Sequence, residues 1–153
     1  MHRLYRFTVA ALGLGLLAAC SMTQPLADLD LRMSKPSAAA LYRVAIHPVA
    51  GKPGVNQIHD WEIEIRTEGG DPVSNANIAF SGGMPQHFHG FPTQPRVTEV
   101  LGNGRYVLGG VKFSMTGWWE MKLAIAAPQG SDTVTFNTVL NDAGPVPAQA
   151  SRQ

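Results

Sequence analysis

The stretch Ile58–Thr67, IHDWEIEIRT, constrains the fold more than any other. His59, Trp61, Ile63 and Ile65 alternate with Asp60, Glu62, Glu64 and Arg66. In an extended chain the first set faces a core and the second faces water, as a half-buried strand requires. Similar short apolar runs lie before it at 41–49 and after it at 73–81, 97–101, 105–111, 118–127 and 133–140. Turn residues separate them: Glu68-Gly69-Gly70-Asp71-Pro72, Gly102-Asn103-Gly104 and Pro128-Gln129-Gly130-Ser131-Asp132. About seven strands in roughly a hundred residues, with no convincing amphipathic helix, predict an all-β fold. An immunoglobulin-like antiparallel β-sandwich is the expectation, and a small closed barrel is the alternative. Parity assigns the core to Val44, Ile46, Trp61, Ile63, Ile65, Ile78, Phe80, Val107, Trp119, Leu123, Ile125, Val134 and Phe136.

The N-terminus reads differently. Arg3 and Arg6 precede an uncharged apolar run from Phe7 to Leu17, and Leu17-Ala18-Ala19-Cys20 closes it, so residues 1–19 read as an export signal. The run falls short of the ~20 residues that span a bilayer. Leu17-Ala18-Ala19-Cys20 resembles the lipobox of bacterial lipoproteins, which implies cleavage before Cys20 and lipid on that cysteine. Cys20 is the only cysteine, so a lipidated domain has no disulfide and no thiolate ligand. Residues 20–40 are rich in Ser, Ala and Pro and are expected to be a lipidated tether, 41–140 the domain, and 141–153 a flexible tail. Ser21 after Cys20 is similar to lipoproteins sent to the outer membrane, which places the domain on the periplasmic side. Removing residues 1–19 takes Arg3 and Arg6 from the 12 basic residues and leaves 10 against 11 acidic ones, a net charge of −1. A chain with no basic run has little with which to neutralise phosphates, so nucleic acid is excluded as a partner.

Chemistry concentrates in GGMPQHFHG, residues 82–90, and FSMTGWW, residues 113–119. Met84, His87 and His89 place a thioether and two imidazoles within six residues. Imidazole suits several transition metals whereas thioether selects Cu(I), so the mixture points to copper. One residue between His87 and His89 puts both rings on one side of an extended backbone. Met115 lies where strand alternation lapses and is a third candidate, provided its loop shares an end of the sandwich with the histidines. Met84 reads equally as an apolar plug, and His59 equally as a core-edge histidine bonded to a backbone carbonyl. Met121 has core parity. Trp118 has outward parity and could shield the metal or meet a partner.

These segments, with His59-Asp60-Trp61 and Phe91-Pro92-Thr93-Gln94-Pro95, resemble the YtkA-like domain, a family of exported bacterial proteins close to FixH, over roughly residues 55–140. The resemblance implies an immunoglobulin-like sandwich and copper handling or cytochrome oxidase assembly, with a copper donor or acceptor protein or an oxidase subunit as partner. FixH proteins carry a membrane-spanning helix, which a lipid replaces here. The other reading is a metal-free docking protein that uses residues 82–95 and Trp118. Catalysis is not expected. The His-x-His pair is not followed by the carboxylate of cupin metal sites, and no Ser-His-Asp or Cys-His set exists.

Overall fold

The computed structural model describes residues 28–141, so the expected export signal, Cys20 and nearly all of the expected tail lie outside the described residues. Nine strands build two antiparallel sheets, with no helix among the described residues. The first sheet has the order β1 (Ser34–Pro36), β2 (Tyr42–Pro48), β3 (Ile58–Thr67), β7 (Arg105–Lys112), β6 (Arg96–Gly102). The second has the order β5 (His89–Gly90), β4 (Asn77–Met84), β8 (Gly117–Ala127), β9 (Gly130–Leu140). The fold is the all-β sandwich that the alternation predicts, with two strands more than the seven read from sequence. The additions, β1 and β5, have three and two residues, too few to show a period.

Eleven of the thirteen expected core residues are buried. Phe80 is half-buried, and Val107 is replaced by Tyr106 and Leu108, which pair with Ile63 and Trp61 across β3. The cause is a bulge. His59 pairs with Val111 and Trp61 with Leu108, so one residue of β3, Asp60, faces two of β7, Gly109 and Gly110. Gly110, at φ 86°, accommodates the extra residue. Before it even-numbered residues point inward. After it Val111 and Phe113 do, both fully buried. The bulge therefore aims Phe113 into the core at the end of the sandwich where the candidate site lies.

Residues 30–41 close one edge between the sheets. The expectation gave this stretch, up to Ala40, to the tether, but β1 pairs with β2 and Asp132 of β9 gathers the turn that follows. Its carboxylate accepts from Ser37 Oγ (2.6 Å), Leu41 N (3.2 Å), Ala39 N (3.1 Å) and Thr133 N (2.7 Å). Burial pushes the Asp132 carboxyl up, but these hydrogen bonds together outweigh it and leave the pKa below the usual carboxylate value. The charged form is the one held in the folded state. Its contribution is present above the unfolded carboxyl pKa of about 3.9 and is lost as pH falls through the lower folded value. Asp132→Ala should lower stability near neutral pH by about 2–3 kcal/mol in denaturant unfolding. The difference between the two proteins should shrink as the medium is acidified below pH 4.

Candidate functional site

The histidine loop is a hairpin. Gly82 and Gly83 lie inside β4. They are small because three backbones converge there. A Cβ on Gly82 would run into the Glu120 carbonyl of β8, and one on Gly83 into the His89 carbonyl of β5. Met84 pairs with His89, and residues 85–88 make the turn. His87 N donates to Met84 O at 3.1 Å, with Pro85 in the second position, where its fixed φ is favourable. Phe88, at φ 54°, then reverses the chain.

The extended backbone expected for His87-Phe88-His89 is thus absent, yet the rings do meet. Their centres are 5.8 Å apart and their planes 33° apart. An imidazole nitrogen bound at about 2.0 Å places its ring centre about 3 Å from an ion, so two rings on one ion stand about 5–6 Å apart. The spacing fits a shared ion. His87 is half-buried and His89 is exposed, so solvent reaches the pair.

Trp119 joins this loop to residues 113–117. Its indole is fully buried, with the His89 ring 6.1 Å away edge-on, Phe91 at 4.9 Å and Phe113 at 5.4 Å. Its Nε1 donates to the Met115 carbonyl at 3.1 Å, which pins that segment at the histidine end of the sandwich. Met115 itself is 39 % exposed. A second contact runs beneath: a Cβ on Gly117 would lie 3.0 Å from the Met84 methyl. The two loops do share one end, as a common site requires.

Met84 is buried in the core cluster under the turn, the plug position. His59 Nε2 lies 3.0 Å from both Gly54 N and Gly54 O, so that nitrogen is engaged by backbone in either tautomer. Its ring contacts Phe113 at 6.3 Å, and Phe113 and Trp119 link it in turn to His89. Met121 is core, as its parity requires. Trp118 does lie on the outer face, but it is buried there, with Nε1 donating to Asn137 Oδ1 at 3.0 Å. Asn137 Nδ2 in turn donates to the carbonyl of Asp30, so the N-terminal segment covers the indole. That crossing has no sequence period to announce it. Among the described residues no three His, Cys, Asp or Glu side chains form a metal-holding group.

Sequence reasoning passed over a groove of about 380 Å³ beside the hairpin, lined by Phe80, Ser81, Gly82, Phe91, Thr93, Gln94 and Pro95. Thr93 Oγ1 holds its far wall by donating to Gly110 O at 2.6 Å. The signal was there in Phe91-Pro92-Thr93-Gln94-Pro95, whose two prolines keep the segment out of the sheet and leave the groove open.

The YtkA-like family model matches residues 37–124, more than half of the chain. The protein belongs to the YtkA-like family. No curated protein and no solved structure matches it. The YtkA-like match takes in both loops and ends inside β8, so β9 with its Asp132 clamp lies beyond it.

Gly83→Ala should unfasten β5 from β4. Loss of about 2 kcal/mol is expected in denaturant unfolding, with NMR shift changes concentrated at His87, His89 and Trp119.

Proposed function

We propose that this YtkA-like protein is an exported, lipid-anchored copper-binding module, with Cu(I) preferred, that serves copper handling or cytochrome oxidase assembly and has no catalytic role. The observation that carries the reading is the 5.8 Å spacing of the His87 and His89 rings on an accessible hairpin turn. His87 and His89 are the nitrogen ligands and Met115 supplies sulfur from the facing loop. Met84 and His59 belong to the floor: one plugs the turn from below and the other is held by Gly54. A soft ion that accepts few ligands suits a site with two imidazoles, a thioether and no carboxylate cluster. The partner is a copper donor or acceptor protein or an oxidase subunit. The second reading, a metal-free docking module, is favoured by Phe88, which is 93 % exposed at the tip of the same turn.

Purified domain should take one equivalent of Cu(I) from a chromogenic chelator and lose that capacity in the His87→Ala, His89→Ala double variant. Binding should also quench tryptophan emission, because Trp119 lies 6.1 Å from the His89 ring. Met115→Leu should weaken affinity by about tenfold, a second-rank ligand's share of roughly 1.4 kcal/mol. Equal uptake by wild type and the double histidine variant would remove the copper reading and leave docking.

A further inference from the structure

Six large apolar side chains are exposed among the described residues, and five of them lie at one end of the sandwich. Phe88 (93 %) tips the β4–β5 turn and Met115 (39 %) lies between β7 and β8. Ile58 (69 %) opens β3 at the level of Lys112, and Val49 (58 %) follows β2 and is bonded through its amide to Asp60 O. Leu31 (50 %) precedes β1. Only Val100, on β6, is elsewhere. Scattered exposed apolar residues are ordinary, but their concentration on the loops of one end is not.

The chain also enters the domain at that end. Traced backward from β1, it runs toward the end of β2, where Met33 O accepts from Ile46 N at 2.8 Å. Asp30 O then accepts from Asn137 Nδ2 at 2.9 Å, three residues before Leu140, which pairs with Gly117. Cys20 precedes Asp28, the first described residue, by eight positions, a reach of at most about 28 Å when fully extended. A lipid on Cys20 therefore holds the bilayer close to the end that carries Phe88, Ile58 and Val49. Lys52, on the Val49 loop, and Lys112, beside Ile58, supply positive charge for anionic headgroups.

We propose that this end of the domain rests on the bilayer surface, with Phe88 and Ile58 entering the headgroup region and the His87–His89 pair presented to the membrane plane. The inference rests on the lipid-anchor half of the function proposed above and is independent of its copper half. A partner that exchanges an ion with the pair then approaches from within the same membrane.

The test uses full-length lipidated protein in phosphatidylethanolamine–phosphatidylglycerol vesicles. With Cys20 acylated, a nitroxide can be placed singly at Phe88→Cys, at Ile58→Cys, or at Asn103→Cys on the β6–β7 turn at the opposite end. Accessibility to an aqueous nickel relaxant should fall several-fold at positions 88 and 58 relative to 103, with a matching rise in accessibility to oxygen. Equal aqueous access at all three overturns the proposal. Protection that appears only in native membranes also overturns it, because the occupant is then a membrane protein rather than lipid. Failure of the protein to stay with vesicles removes the anchor and this inference together, while Cu(I) titration of the soluble domain continues to report on the metal site alone.

Discussion

The Trp119 indole is the contact on which the candidate site depends. Its ring is the floor beneath His89, its N–H fixes the Met115 carbonyl, and its faces and edges meet Phe91 and Phe113. A large fully buried ring with its one polar atom satisfied has little freedom to move. Two loops far apart in sequence are thereby held at a fixed separation by one side chain of β8. The hairpin turn is itself closed by the hydrogen bond from His87 N to Met84 O, and Trp119 fixes its place relative to the facing loop.

Around this contact the backbone has been shaped by small residues. Gly82 and Gly83 let β8 and β5 approach β4, Gly117 makes room for the Met84 methyl, and Gly110 allows the bulge that turns Phe113 inward. The bulge matters most for the site. Without it Phe113 would take the outward parity of Val107, and the aromatic layer joining His59 to Trp119 would lose its middle member. On the opposite edge of the sandwich Asp132 gathers the N-terminal turn, which lets the chain cross Trp118 and leave at the site's end.

This arrangement gives the copper proposal a consistent physical form. The His87 and His89 rings stand at a chelating spacing, the Met115 loop is held at the same end, and mixed imidazole and thioether donors would suit a soft ion. Its loop is exposed, as exchange with a partner requires, and the aromatic floor keeps water from beneath it. The chain entry and the exposed apolar residues lie at the same end as the histidine pair, so the proposed anchor and the proposed site would share one surface.

Strand content, core composition and the closeness of His87 and His89 were legible in the chain because alternation and close spacing are local properties. Trp61, Ile63 and Ile65 could face only one way, and two histidines two residues apart cannot be far from each other. The burial of Trp118, the swap of Val107 for its neighbours, the engagement of His59 by Gly54 and the folding of residues 30–40 onto the sandwich were not legible. Each depends on which segment crosses above a strand or where one extra residue is inserted, and neither leaves a period in the sequence. The amino-acid order by itself determined that two sheets would form and which side chains could serve as donors. Only the tertiary structure decided that Trp119 would join the two loops, because packing around a buried ring is set by segments that meet through space.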